Sequence, residues 1–317
     1  MKYQHVFAGL MRIDGKEMHL PPMKTNPFST IPLEASDSNL LVGRHNLEDM
    51  LSQYLRFRSS RRILLTGEHG SGRTSLLRCL AKHTPHSVYI DHISPRNAGE
   101  SLLKEIYASL VSTDVPAGRS LLSQKILAAA QSYRNSLPLI VIDASTLDIG
   151  ALNVALRETL PTLERLEALM VVVLETKDKT LLHESILQKL DQIEPLSNLS
   201  LDEVQLLVER RIEHSTGEPF RFSQEDAEYL LEKTNGLPSA VVHLMRDSID
   251  QATMSQRTYV APSYSQPEPV DFDSPSDFDQ PSPVQTEPFD MFSIEPSDSV
   301  SQQENEPDDV AQGIEEH

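Results

Sequence analysis

The stretch from Arg62 to Thr74, RILLTGEHGSGRT, constrains this chain more than any other. Three apolar residues, Ile63, Leu64 and Leu65, lead into Gly67, Gly70 and Gly72; Arg73 and Thr74 follow, and an amphipathic helical pattern runs from Ser75 through Lys82. A buried strand, a glycine-rich loop and a helix in that order make a cradle for phosphate. Glycine reaches backbone angles closed to other residues, so successive N–H groups can point into one concavity. The positive end of the helix dipole falls on the same spot. The Thr74 hydroxyl stands where it would ligate Mg²⁺. The ligand class is therefore a nucleoside triphosphate. A flexible turn before a helix is the bland alternative, and the well-ordered flanks argue against it. One position departs from the pattern: the residue after Gly72 should be Lys and is Arg73. Arginine keeps the charge, but its planar fork on a longer stem is not a compact ammonium. It suits holding a β-phosphate better than meeting a γ-phosphate in the transition state.

The charge is unevenly spread. The chain of 317 residues carries a formal net charge of −19, yet from residue 251 onward fifteen Asp or Glu face a single basic residue, Arg257. The preceding 250 residues hold 27 basic against 32 acidic side chains. The body is nearly balanced, so the acidity of the whole does not exclude nucleic acid from it. The lone cysteine, Cys79, excludes an intramolecular disulfide and falls on the helix after the loop, where a small apolar side chain packs. The longest apolar run, Ala168 to Leu174, has the length of a buried strand and not of a membrane span. The amino terminus lacks a long apolar core and a clear cleavage site, so a cytoplasmic location is expected.

Strand patterns recur at Val88–Asp91, Leu139–Asp143 and Met170–Leu174, with a short one at Gln192–Glu194. Helical patterns lie between them, over 99–112, 118–134 and 149–167, and Leu47, Met50, Leu51, Tyr54 and Leu55 mark one helix face ahead of the loop. Strands that alternate with helices predict an α/β fold: a parallel five-stranded sheet with helices on both faces. From Ser200 the pattern is helical throughout. Ser200 and Glu203 form a capping box, Ser223 caps the next helix, Asn235-Gly236 ends it, and Pro238 starts another. The chain thus divides into an unassigned extension (1–24), a nucleotide-binding α/β domain (25–196), a small all-α lid domain (197–254) and a tail (255–317). Nine of the 21 prolines lie beyond residue 250, among many Ser, Gln, Asp and Glu, so the tail is expected to be disordered. It holds a near-repeat, Asp271-Phe272-Asp273 and Asp277-Phe278-Asp279, followed by Phe289 and Phe292. Either it only solubilises the chain, or it docks a protein partner through aromatic anchors steered by acids.

Other clusters carry less. Arg56-Phe57-Arg58-Ser59-Ser60-Arg61-Arg62 reads as a solvated loop face before it reads as a contact for phosphate backbones. His83, His86 and His92 lack the carboxylate or thiolate that would complete a metal set.

Taken together, Val42-Gly43-Arg44 with Glu48 a turn on, the phosphate loop, an apolar strand closing at Asp143, a further strand with a polar end, and a helical lid opening at LSLDE resemble the AAA+ ATPases. The likeness runs from about Asn26 to Ala252 and is strongest to origin-recognition-type, archaeal initiator-like ATPases and to the related STAND-like branch. The resemblance implies ATP with Mg²⁺. It places Val42 and Arg44 beside the adenine. Gly67, His69, Gly70, Ser71, Gly72, Arg73, Thr74 and Ser75 fall around the phosphates, and Thr74 and Asp143 at the metal. It gives Asp143 the Walker B role and Thr176 that of a polar sensor near the γ-phosphate.

The same resemblance exposes gaps. The glutamate that orients the attacking water is replaced by Ala144, and Asp148 and Glu175, the nearest carboxylates, stand elsewhere. A neighbour-facing arginine finger is reduced to Lys189, and Ser239 occupies the place of the lid arginine, with Arg246 too far along its helix to assign. Groups that bind nucleotide are kept, whereas groups that activate water are missing. The reading that follows is an ATP- or ADP-binding switch or scaffold with weak or absent hydrolysis. The alternatives are an active ATPase in DNA replication or repair, and a nucleotide-independent interaction protein that uses its tail. DNA contact lacks the winged-helix domain such initiators carry, no membrane partner is expected, and a monomer, a hetero-complex and a ring are equally open.

Overall fold

In this computed structural model, residues 9–258 are described. Residues 1–8 and most of the acidic tail, with its two Asp-Phe-Asp repeats, lie outside the described residues.

The segment left unassigned by sequence begins with a hairpin. Strands β1 (Leu10–Ile13) and β2 (Lys16–His19) pair antiparallel, with Ile13 opposite Lys16. Asp14 and Gly15 form the two-residue loop, at φ 46 and 89. Positive φ at both positions matches the twist of the flanking strands, which is why Asp-Gly suits this turn. A strap over residues 20–42 then leads to helix α1 (His45–Arg56).

The α/β body follows. Strand β3 (Arg61–Gly67) enters helix α2 (Arg73–Leu80), and β4 (Ser87–Ile90) enters α3 (Ala98–Leu110) and α4 (Arg119–Ser132). Then come β5 (Leu139–Asp143), α5 (Ile149–Leu163), β6 (Leu169–Glu175), the short α6 (Glu184–Leu187) and β7 (Gln192–Pro195). The five strands form one parallel sheet in the order β4-β5-β6-β3-β7. Alternate residues of each strand feed opposite faces. Leu64, Ile140, Ile142 and Val172 pack under α3, α4 and α5, whereas Ile63, Leu65, Val141 and Val173 pack against α1 and α2. Covering on both faces is what makes these strands continuously apolar. Cys79 lies in the second of these cores, and burial pushes its thiol up to about 11, so it is inert packing.

Helices α7 (Leu201–Thr216), α8 (Gln224–Thr234) and α9 (Pro238–Thr258) form the helical unit. The capping box is present: Ser200 N–H donates to Glu203 Oε2 at 2.8 Å and Glu203 N–H to Ser200 Oγ at 3.4 Å. Ser223 caps α8, and Asn235 ends it in the left-handed region at φ 51. Gly236 is required twice over, since its φ is +69 and a Cβ there would lie 2.2 Å from the Leu199 carbonyl oxygen.

The hairpin belongs to this helical unit and not to the sheet. Met11, Met18, Met23 and Phe28 share one core with Val204, Val208, Ile212, Leu230, Val241 and Met245. A three-helix layer of about 50 residues has little core of its own, and the hairpin closes its open face. Met18 is fully buried there. Met18→Ala is therefore expected to cost about 2–5 kcal/mol of stability, read by urea denaturation. A value below about 0.5 kcal/mol, the level of a surface change, contradicts this packing.

Candidate functional site

Strands β3, β5 and β6 end together at one edge of the sheet. Gly67 closes β3 opposite Glu175 of β6, and Asp143 closes β5 opposite Val173. The loop 68–72 leaves from this edge and turns through Gly70 and Gly72 at φ 83 and 88. Gly72 meets nothing within 4 Å, so the backbone angle alone demands glycine there. Gly67 is glycine for closeness: a Cβ would sit 2.5 Å from Ser71 Oγ. Helix α2 starts at Arg73, and its first amides have no intrahelical acceptor. The loop and helix end thus present donors and a positive dipole to one point.

A cavity of about 490 Å³ opens over this point. Its walls come from the phosphate loop, from Asp143, from the strap, and from α7 and α9. That size is ordinary for a small-molecule site. Among the expected residues, Val42, Arg44, His69, Gly70, Ser71, Gly72, Arg73, Thr74, Ser75 and Asp143 all border it, whereas Thr176 does not. Thr176 is exposed at the start of a 3₁₀ turn, and the strand end carries Glu175 in its stead. Gly67 lies beneath the loop.

Arg73 is 5 % exposed, and its Nη1 has no partner. Its Nη2 lies 3.9 Å from Glu175 Oε1. Glu175 is shared, since Lys177 Nζ is 2.8 Å and His69 Nδ1 3.4 Å from it. The hydrogen bond from Lys177 holds the Glu175 carboxyl below its ordinary value of 4.5, and the Arg73 and His69 charges add to that. Glu175 is the neighbour of Arg73 that sequence left without a place. Its signal was register: it pairs with Gly67, the last residue before the loop.

Thr74 Oγ1 stands 3.5 Å from Asp143 Oδ2, so hydroxyl and carboxylate can share a small hard cation. The carboxylate is fixed from both sides. Tyr89 OH donates to Oδ2, and Ser145 N–H donates to Oδ1 at 3.1 Å. Burial, followed by that bond to Asp143, pushes the Tyr89 phenol well above its usual value and keeps it a donor. Ala144 is 3 % exposed and packed into the core under α5. Asp148 is spent as the cap of α5, accepting from Ala151 N–H at 2.7 Å.

Arg44 is buried and acts through the backbone. Its Nη2 donates to the Ser71 carbonyl at 3.1 Å and to the Ser197 carbonyl at 2.8 Å, and Nη1 donates to Gly43 O at 2.9 Å. It ties the phosphate loop to the link between sheet and helical unit. Burial lowers its pKa, and only the field of Glu203 opposes that.

The helical unit touches the loop directly. Ser239 N–H donates to the Gly70 carbonyl at 3.1 Å, and a Cβ on Gly70 would lie 1.9 Å from Ser239 Oγ. Arg246 points away to the strap, where Nη1 donates to Thr30 Oγ1 at 2.9 Å. Lys189 is exposed and paired with Glu164 at 2.8 Å. The basic run before β3 is likewise occupied: Arg58 pairs with Glu167 and Arg62 with Asp191. His83 lies 3.7 Å from Glu48, and no group of three or more His, Cys, Asp or Glu side chains among the described residues could hold a metal ion. No helix there is long and apolar enough to cross a membrane.

Arg44→Lys keeps the charge but cannot span three carbonyls. It is expected to lose about 1–3 kcal/mol of stability by urea denaturation. An unchanged midpoint contradicts the tie.

The family model described as the AAA ATPase domain matches residues 40–216, more than half of the chain. No curated protein matches it. Among solved structures, Drosophila ORC bound to DNA superposes with a TM-score of 0.50 at 14% identity, over 73% of this chain and 60% of that one. Cdc6p from Pyrobaculum aerophilum gives 0.49 at 18%, over 68% and 62%. The Thermotoga maritima Holliday junction branch migration motor RuvB gives 0.44 at 16%, over 72% and 67%. At these identities the likeness is one of fold.

Proposed function

The chain belongs to the AAA ATPase domain family, and from that premise we propose that it binds ATP with Mg²⁺ as a nucleotide-dependent switch or scaffold with weak or absent hydrolysis. The observation that carries the reading is Arg73. A guanidinium 5 % exposed with a buried, partnerless Nη1 is costly to leave as it is. Phosphate oxygens beside it repair that cost, and they are what the loop amides and the α2 dipole also favour.

The residues present fit the metal as well. Thr74 and Asp143 would hold Mg²⁺, with phosphate oxygens and water completing its shell. When bound, the metal would offset part of the negative charge of the triphosphate, whose phosphoanhydride bond is the scissile one. The chain's own contribution is to bind and orient. Loop amides grip the phosphates, Asp143 is held in place by Tyr89 and Ser145, and the strap and helical unit wall the rest of the cavity. Ser239 N–H on the Gly70 carbonyl gives the loop a direct link to α9, through which phosphate occupancy reaches the helical unit.

Among the described residues, the three positions considered for orienting an attacking water are otherwise occupied. Ala144 is core, Asp148 is a cap, and Glu175 is engaged by Arg73, Lys177 and His69. Each absent catalytic group lowers the rate by a factor of about 10²–10⁴.

Calorimetry with Mg·ATP and Mg·ADP, with phosphate release followed in the same samples, tests this. Wild type is expected to bind, and Arg73→Ala and Asp143→Ala to weaken binding roughly ten- to a hundredfold, the equivalent of about 1.4–2.8 kcal/mol. Turnover near 1 s⁻¹, an ordinary enzyme rate, defeats the hydrolysis-poor reading, and absence of binding defeats the whole of it.

Glu175 gives a sharper test. It is an internal anion that competes with phosphate for Arg73 and His69. Glu175→Gln is expected to tighten ATP binding about three- to tenfold at low salt, by removing like-charge repulsion. Weaker binding would mean that Glu175 aids the site by aiming Arg73.

A further inference from the structure

A second buried guanidinium borders the same cavity. Arg211 of α7 is 8 % exposed, and its Nε has no hydrogen-bond partner. Its Nη1 reaches the carbonyls of Pro27 and Ser29 on the strap only at 3.5 and 3.4 Å. Burial lowers the pKa of Arg211, and the field of Asp37 offsets that only in part. The adjacent arginines hold shorter bonds to the strap: Arg210 donates to Leu41 O at 2.9 Å and Asn39 O at 3.1 Å, and Arg246 to Thr30 Oγ1 at 2.9 Å. Arg211 alone of these strap arginines keeps a buried N–H idle.

Its surroundings say what that N–H could meet. Leu207, one turn earlier on α7, lines the same wall, as do Val242 of α9 and Leu33 and Leu40 of the strap. These apolar side chains suit a flat aromatic ring and offer it no side-chain acceptor or donor. A triphosphate anchored at the loop leaves the remainder of the cavity to its sugar and base. A guanidinium is donor-only, so it recognises acceptors such as ring nitrogens and exocyclic carbonyls.

We propose that Arg211 is a base-reading residue: its Nε–H donates to an acceptor on the edge of the nucleobase, while Nη1 holds the strap against the same ligand. This rests on the nucleotide reading above and adds to it a contact that a base-free phosphate chain cannot make. Arg211 also makes the strap part of recognition, because one side chain touches both.

The test is calorimetric binding of Mg·ATP and of Mg·tripolyphosphate to the full chain, with thermal melting as the check on folding. Wild type is expected to bind ATP more tightly than tripolyphosphate. Arg211→Met, which keeps the apolar stem, is expected to lower ATP affinity roughly ten- to a hundredfold and leave tripolyphosphate affinity within about twofold, as loss of one charge-assisted contact to the base requires. Arg211→Lys keeps the charge without the fork, is expected to lose ATP selectively to a smaller degree, and decides the matter should the Met variant fail to fold. Equal loss of both ligands overturns the proposal, since Arg211 then only fastens the strap. Unchanged ATP affinity in both variants overturns it too. If wild type binds the two ligands equally, the base makes no contact and the proposal falls while the phosphate loop stands. If wild type binds neither, the nucleotide reading itself fails and takes the proposal with it.

Discussion

Everything at the site depends on the path of the backbone from β3 into α2. Two left-handed glycines, Gly70 and Gly72, turn the chain so that it leaves the sheet edge and re-enters as a helix within six residues. A side chain at either position opposes that geometry, at Gly70 by contact with Ser239 and at Gly72 by backbone strain alone. Because the turn is fixed, the helix end, the loop amides and Thr74 face the Asp143 carboxylate at the end of the neighbouring strand system. The parallel sheet makes this possible: in such sheets the carboxyl ends of the strands form the crevice where ligands collect.

Much of this was legible in the sequence because the signals are local or periodic. The strands read as apolar runs since both faces are covered, the caps at Ser200 and Ser223 read as short motifs, and glycine spacing located the loop. The first hairpin was missed although Asp14-Gly15 is a strong turn signal, because Met11, Ile13 and Met18 alternate over only four residues a side. Its reason for existing is tertiary, for it covers helices that lie two hundred residues later. The roles of Arg44 and Arg246 were illegible for a similar cause. Arg44 donates to backbone oxygens that no residue identity encodes, and Arg246 to the Thr30 hydroxyl, a partner 216 residues away in sequence. Thr176 and Glu175 show the limit at single-residue scale: they are adjacent, and only strand register decides which of them ends the strand beside Gly67.

The arginines also explain how two cores become one site. The sheet and the helical unit have separate apolar interiors. Directed polar contacts link them. Arg44 joins the loop to the inter-unit link, Ser239 N–H joins α9 to Gly70, and Arg210, Arg211 and Arg246 fasten the strap that spans both. Hydrogen bonds from guanidinium to carbonyl are geometrically demanding but individually modest in strength. A joint built from them is directional without being strong, in keeping with the switch proposed above.

The same economy accounts for the catalytic gaps. Ala144 is not a surface position waiting for a carboxylate, because it is packed beneath α5 with its N–H on the Val173 carbonyl at 2.9 Å. A glutamate there would have to leave the core or be buried charged, and a buried unpaired carboxylate is strongly disfavoured. Arg73 fits the same picture. Its longer side chain packs against Gly67, where a Cβ would stand 3.4 Å from Arg73 Cδ, and its fork reaches towards Glu175 at the end of β6. The loop, the sheet edge and the core have therefore adjusted to one another around an arginine and an alanine. Restoring a lysine or a glutamate singly would meet a site shaped for something else. The arrangement is consistent with the proposed holder of phosphate: Ala144 lies in the core, Asp148 caps α5 and Glu175 sits in an ion-pair cluster.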